Sequence, residues 1–186
     1  MPSAADSSFD VAMWFSDRAL QDNVYLQPQK LHRLLYVSQA FYAVDNNGRK
    51  LMPSVFVADQ LGPIEPNIYR AFTNGRPDFD TWPLPEDVEV FLNAIWERYS
   101  HHSADHLSKT LMKHAPFLTA FKRGAGAEIS LEDMVAFYGR FNRKPRKKKK
   151  SADPVDQLHP DRPTLLVSQT GRAVSVTKWV PGQKPG

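Results

Sequence analysis

The stretch "DQLGPIEPNIYRAF", residues 59–72, decides how the middle of the chain folds, because it sets two prolines around one carboxylate. Pro66 has no backbone N–H and a preset φ, so it suits the first turn of a helix and keeps Glu65 extended. We therefore predict a rigid corner, residues 62–66, that joins a strand to a helix over residues 67–72. At the helix N-terminus the charge of Glu65 stabilises the dipole by about 0.3 to 1 kcal/mol. Three side chains of this helix are expected to be buried: Ile68, Tyr69 and Phe72.

Two helices are predicted before this corner. The first covers residues 9–21 and is capped by Ser7 or Ser8. The second begins at Pro28 and has the strongest helical periodicity in the chain, with apolar residues spaced three and four apart. A β-branched, roughly alternating run over residues 54–61 predicts a strand or a small hairpin.

Four further helices are predicted after the corner. They cover residues 86–99, 103–113, 116–121 and 130–141, with Ser103 as a cap and a capping box at Ser130 and Asp133. The glycine-bearing run over residues 123–127 indicates only a turn. The fold is therefore predicted to be mainly α, with six or seven helices and a small β element, at the margin of the α+β class.

The apolar periodicity stops at residue 142, which predicts three segments. Residues 1–141 form a helical domain, and the polar, charged residues 142–163 are a disordered basic linker. Two β-rich runs around residues 170–171 predict a C-terminal hairpin and tail over residues 164–186. A lone hairpin is marginal in water, so we expect it to pair with a sheet edge or with a partner.

Composition limits the function classes. The 186 residues include no cysteine, which excludes disulfides and thiolate chemistry and fits a reducing cytoplasm. No apolar run approaches the ~20 residues that span a bilayer, so we expect a cytoplasmic protein without a membrane partner. The net charge of +4 is local: seven of the 24 basic residues lie at 143–150, and the remaining 17 face 20 acidic residues. The basic arm consists of Arg143, Lys144, Arg146, Lys147, Lys148, Lys149 and Lys150.

No pattern of catalysis or of cofactor binding is evident. Phosphate-loop, dinucleotide-binding and nucleophile-elbow motifs are all missing, and the acidic residues lie near turns, where capping explains them. His101, His102 and His106 cluster, but Ser103 interrupts the helical spacing that a metal site would need. We therefore expect no enzyme activity, no cofactor and no metal. Aromatic residues at predicted element ends are candidate anchors for a protein partner: Tyr25, Tyr42, Trp82 and Trp179.

The order of motifs resembles that of the Panacea domain family of bacterial antitoxins. The helix motif K-L-x-K-L-L-Y, the corner G-P-x-x-P-x-x-Y and the W-x-x-Y segment are matched over roughly residues 9–141. The matching residues are Lys30, Leu31, Leu34, Leu35 and Tyr36, then Gly62, Pro63, Pro66 and Tyr69, then Trp96, Tyr99 and Leu107. Two positions depart from the family pattern, since Arg33 replaces a lysine and Phe117 replaces a tryptophan.

The resemblance implies a cytoplasmic antitoxin that binds a cognate toxin protein and performs no catalysis. SocA-like members of the family imply a variant in which the antitoxin is an adaptor that delivers its toxin to the ClpXP protease; direct masking of the toxin is the other mode. The alternative function is nucleic-acid binding or regulation through the arm, with an affinity that falls steeply with salt.

The hypothesis for the partner surface centres on the corner. Gln60, Glu65 and Arg70 are expected to face the partner, and Glu65→Ala is expected to spare folding and weaken binding. The full set of candidate contact residues is Lys30, Gln60, Glu65, Tyr69, Arg70 and Trp179. Leu34, Tyr36, Gly62, Pro63 and Pro66 are assigned structural roles.

Overall fold

A computed structural model describes residues 2–78 and 80–142, and two short strands nearer the C-terminus. The chain divides into two units, residues 1–144 and 145–186. In the described part of the first unit, seven helices and a small antiparallel sheet confirm the predicted mainly helical class. The helices are α1 (Ser8–Gln21), α2 (Pro28–Asp45), α3 (Pro66–Ala71), α4 (Glu86–Tyr99), α5 (Ala104–Leu111), α6 (Ala115–Arg123) and α7 (Leu131–Asn142). The strands of this unit are β1 (Phe56–Asp59), β2 (Gly62–Ile64) and β3 (Ala127–Ile129).

Helix α2 is the centre of this unit. It packs against α1, α4, α5 and α7, and the sheet lies against it through β2. Its side chains are buried on nearly every face, including Leu34, Leu35 and Tyr36. Because each fully buried large apolar side chain contributes about 1.5 to 3 kcal/mol, this helix holds the surrounding elements in place.

The predicted helix starts are confirmed by their capping bonds. The hydroxyl oxygen of Ser7 accepts from the N–H of Phe9 at 3.1 Å, and that of Ser103 accepts from the N–H of His106 at 3.1 Å. Pro28 begins α2 as predicted. The helix predicted to end at residue 113 ends at Leu111, and the next one is longer than predicted because it runs from Ala115 to Arg123.

The sheet has the order β2-β1-β3, and both pairings are antiparallel. Residues 54–61 were predicted to form a strand or a small hairpin, and they contain the single strand β1. Its antiparallel partner β2 lies in the corner, where no strand was predicted. The third strand was not predicted: Ala127 opens a strand in which Ile129 pairs with Phe56. A bond from the N–H of Gly126 to the carbonyl of Ala58, 2.8 Å long, brings this segment to β1.

In the second unit the structure describes β4 (Leu165–Val167) and β5 (Ala173–Ser175). They pair antiparallel with Leu166 opposite Val174, at the place where the sequence predicts a hairpin. The predicted linker, the basic arm and Trp179 lie outside the described residues. In the part that is described, no helix combines the length and the apolar character that a bilayer crossing requires.

Candidate protein-binding surface

Arg33 fastens the corner to two helices. Its side chain is fully buried at 0% exposure and donates through Nη1 to the carbonyl of Pro63 at 2.7 Å. Nη2 donates to the carbonyl of Leu61, and Nε donates to the hydroxyl of Ser108 on α5 at 2.9 Å. A single guanidinium on α2 therefore ties the β-hairpin to α5, which is possible because its donors form a rigid planar fork.

Gly62 is required by this arrangement for two reasons. Its φ is +115°, a conformation that side-chain-bearing residues rarely adopt. A Cβ at this position would also lie 2.9 Å from Nη2 of Arg33, inside van der Waals contact. The guanidinium of Arg33 therefore occupies the space that a side chain at position 62 would need.

The buried charge of Arg33 is balanced by dipoles rather than by an ion pair. Among the described residues, no carboxylate lies within ion-pair distance of it. Burial lowers the pKa of Arg33 to about 10, an effect that the carboxylate of Asp59 partly opposes. Arg33 is therefore protonated at neutral pH, and the carbonyl oxygens of Leu61 and Pro63 solvate its charge.

Glu65 lies inside the protein, at 0% exposure, and not on the partner surface predicted for it. Oε2 accepts from the N–H of Ile68 at 2.6 Å, and Oε1 accepts from Nδ2 of Asn67 at 3.1 Å. The carboxylate is the N-cap of α3, as its place before Pro66 predicts. The prediction that Glu65 faces a partner is wrong, because α3 packs against α2 and α1 with its N-terminus turned inward.

His32 receives the backbone of the same corner. Its Nδ1 accepts from the N–H of Glu65 at 3.3 Å. Burial, and then the neighbouring charge of Arg33, lower the pKa of His32 to about 4. The imidazole is consequently neutral at pH 7, which leaves Nδ1 free to accept this bond.

Two other predicted contact residues are buried. The ammonium of Lys30 donates to the carbonyl of Ser100, and the lysine is buried between α2 and the end of α4. Tyr42 packs edge-on against Phe91 with 5.2 Å between ring centroids, since the last turns of α2 lie against α4. Because both side chains are buried, neither residue is available to anchor a protein partner.

The other corner residues lie at the surface. Gln60 and Arg70 are exposed, as predicted. Tyr69 was predicted both to be buried and to contact a partner, and the burial is wrong: its side chain is 53% exposed, with its ring 6.0 Å from that of His32. Helix α3 has only six residues and lies near the surface, so it cannot bury all three of the side chains that were predicted to be buried. Ile68 and the C-cap residue Phe72 are buried, and Tyr69 is left at the surface.

An apolar groove of about 280 Å³ adjoins α3. It lies among the end of α1, the loop to α2, the first turn of α2 and the segment that follows α3. Its apolar lining consists of Ala19, Leu20, Val24, Tyr25, Leu26, Pro28, Leu31 and Phe72. We call this the Tyr25 groove. Arg76 is the charged residue of its lining, and Nη2 of Arg76 donates to a carboxylate oxygen of Asp17 at 2.5 Å.

The rim of the Tyr25 groove is the most evident surface for a protein partner. Tyr25 is 79% exposed and Leu20 is 64% exposed, and Val24 beside them is exposed as well. Contiguous apolar side chains around a groove are typical of interaction sites, and tyrosine is enriched among anchor residues. Trp82, 76% exposed, agrees with its prediction but lies outside this groove. Tyr25 was predicted as an anchor. Leu20 was not, because an apolar residue within an amphipathic helix such as α1 is expected to be buried.

Phe117 is a core residue. It stacks on Phe121 with 5.6 Å between ring centroids, so it does not form part of an exposed surface. Among the described residues, no group of three histidine or acidic side chains is arranged to hold a metal ion. Comparison of the chain with protein-family models, with curated proteins and with solved structures finds no match.

Proposed function

We propose that this protein is an antitoxin that binds a cognate toxin protein and neutralises it. The observation that carries the proposal is the Tyr25 groove, whose apolar rim is exposed and whose charged lining residue is already paired with Asp17. The motif order shared with the Panacea domain antitoxins supports the choice of a toxin as partner. The proposal assigns no catalytic residue and no cofactor.

The groove and α3 form one docking surface in this proposal. Phe72, the C-cap residue of α3, lines the groove, and Tyr69 lies three residues before it within α3. Arg33 and His32 on α2 bond to the backbone of Pro63 and Glu65, and so hold the start of that helix against α2 and fix its direction. The corner therefore positions the docking surface without touching the partner.

The resemblance to SocA-like antitoxins supports a more specific mode, in which the protein is an adaptor for the ClpXP protease. Residues 1–141 bind the toxin, and residues from 142 onward contact the protease or the far side of the toxin. Two linked binding segments raise the effective concentration of one partner near the other without any new contact.

The test is co-purification of this protein with the product of its neighbouring gene, followed by a half-life measurement of that product. A complex whose toxin is degraded faster supports the adaptor mode, and a complex with an unchanged half-life supports direct masking. Removing residues 142–186 should preserve the complex and abolish the faster degradation. Unchanged degradation by the truncated protein would reject the role given to the C-terminal segment.

Paired variants test the docking surface itself. Tyr25→Ala combined with Leu20→Ser should weaken toxin binding by about tenfold or more, the loss that follows truncation of central anchors. Val90→Ser is the matched control, since Val90 is 65% exposed on α4 and lies outside the groove. Circular dichroism should show that both proteins are folded. Equal affinities for the two proteins would overturn the assignment of the groove.

A second function rests on the charge of the arm at residues 143–150, where seven of eight residues are basic. Such a run binds phosphate backbones without sequence preference. If no toxin complex forms, retention on DNA or RNA that falls steeply with salt and disappears when Lys147 to Lys150 are neutralised would favour this function.

A further inference from the structure

Three imidazole rings lie against one another between α4 and α5. The ring centroids of His101 and His102 are 4.2 Å apart, and those of His102 and His106 are 4.8 Å apart with nearly parallel planes. His101 and His106 are exposed and His102 is partly exposed, so solvent reaches the cluster. The three residues are called the histidine cluster below.

The surroundings of the cluster are positive. Lys30 comes from α2, and its ammonium is held at the carbonyl of Ser100, two residues before His102. From α4, Tyr99 lies with its ring 6.4 Å from that of His102, and Arg98 covers the ring of Tyr99 at 5.5 Å. The acidic residue nearest to the cluster in the sequence is Asp105 on α5, which directly precedes His106.

Within the part of the chain that the structure describes, no ion pair neutralises this cluster. Among the described residues the ion pairs are Arg18 with Asp22 and Arg76 with Asp17, so neither Lys30 nor a cluster histidine is paired with a carboxylate. Desolvation, and then the charges of His101, His106 and Lys30, lower the pKa of His102. Up to four groups that can carry positive charge are thus gathered with no bound counter-charge.

We propose that the histidine cluster, in the positive field of Lys30, binds an oxyanion of the phosphate type. Each neutral imidazole supplies one N–H donor, and each protonated imidazole supplies two. A dianion close to the rings offsets their mutual repulsion, so anion binding and proton uptake strengthen each other. The site is independent of the toxin-binding function proposed above.

The same residues are less well arranged to bind a metal ion than to bind an oxyanion. The rings of His102 and His106 are stacked at 19° instead of converging on one point, and a cation would be repelled by Lys30. A tetrahedral oxyanion needs several donors around it and no fixed coordination geometry, which suits three exposed imidazoles.

The experiment follows the C2–H resonances of the histidines by NMR, in the full-length protein without a tag. A pH titration is recorded in sodium phosphate and again in sodium chloride of equal ionic strength. Phosphate should raise the apparent pKa of the cluster histidines by about 0.5 or more, because the bound dianion favours their charged form. His32 and His114 are internal controls: His32 is buried, and Nδ1 of His114 is bonded to the hydroxyl of Tyr138 at 2.9 Å.

Variants then separate a built site from general attraction to charge. His102→Gln removes the central ring and should abolish the phosphate effect on the resonances of His101 and His106. Lys109→Gln, on the same helix as His106, removes one exposed positive charge outside the cluster and should leave the effect in place. Identical titrations in phosphate and chloride would overturn the proposal, as would an equal loss of the effect in both variants.

Discussion

Gly62 and Arg33 show how closely two residues 29 positions apart can depend on each other. The sequence alone indicates that a glycine belongs in a proline-bearing corner. It does not indicate that a guanidinium from α2 fills the place of the missing side chain, since this depends on how α2 packs against the hairpin. The same contact explains why an arginine suits this position, because a lysine ammonium cannot serve three acceptors in one plane.

Gly62→Ala is expected to destabilise the protein by about 2 to 4 kcal/mol, because it combines a strained backbone with a clash against Arg33. Urea unfolding followed by circular dichroism measures the change. Gly48→Ala is the matched control: φ is +85° there, but an added Cβ meets nothing within 4 Å. Its cost should be about 1 to 2 kcal/mol. Equal costs at the two positions would show that the guanidinium does not occupy this space.

His32 should make stability depend on pH. The folded protein holds its pKa near 4, against an ordinary value of 6.5, so the unfolded chain binds the proton more readily between these values. Stability contributed by the neutral imidazole is complete above pH 6.5, falls as the pH drops to about 4, and changes no further below that. The loss is up to about 3 kcal/mol.

The measurement is the free energy of unfolding of the native protein and of His32→Gln at several pH values between 7 and 4. The variant should show a shallower decline, by up to about 1.4 kcal/mol per pH unit. Val90→Gln, which changes an exposed side chain without a titratable group, should keep the native slope. A His32→Gln protein with the full native slope would mean that other groups cause the decline.

At the scale of single elements, the helices could be predicted from the sequence, but the burial of the N-cap residue Glu65 could not. Local signals sufficed for the starts of α1, α2 and α5, because a serine or proline at a helix start acts within one turn. The place of Glu65 as N-cap of α3 was predictable for the same reason. Its burial was not, because it depends on α3 lying against α2, a contact between segments about 35 residues apart.

Neither the short strand β3 nor the burial of Tyr42 could be predicted from the local sequence, because both depend on tertiary contacts. Three residues after a glycine-rich turn have no alternating pattern that could reveal a strand, and β3 exists because β1 offers a free side. Tyr42 lies near a helix end, where exposure is the usual outcome, and only the packing of α4 across that end covers it. Burial near element ends is set by tertiary contacts, which periodicity does not contain.

Glu65→Ala is expected to destabilise the fold by about 1 to 3 kcal/mol, since it removes an N-cap and leaves the buried N–H of Ile68 without an acceptor. Glu65→Gln keeps an oxygen and should lose about half as much. Glu97→Ala, at an exposed position within α4, is the control and should change stability by less than about 0.5 kcal/mol. Thermal and urea unfolding provide the values. A stable Glu65→Ala protein would show that another group caps α3.

At the scale of the whole molecule, the buried apolar cluster that the structure describes is built from residues of the first unit. Among the described residues, its members come from all seven helices of that unit, and α5 contributes Leu111 at its last turn. The candidate docking surface belongs to this unit too. The described core and the docking surface proposed above therefore both belong to residues 1–144.

Deleting residues 145–186 should leave the thermal midpoint of the first unit within about 2 °C of its value in the full chain. The reason is that the described core has no member beyond residue 142. Circular dichroism at 222 nm follows the helices during heating. A much lower midpoint in the truncated protein would show that the second unit supports the first.

The bonds of the corner have one more consequence, which concerns aggregation. An edge strand usually presents free N–H and C=O groups to which a strand of another molecule can add. Along β2 these groups belong to alternate residues. The carbonyls of Leu61 and Pro63 accept from Arg33, Pro63 has no N–H to offer, and the N–H of Glu65 donates to His32. The β2 edge of the sheet is therefore closed to strand addition, so the exposed apolar rim of the Tyr25 groove is not accompanied by an open strand at this edge.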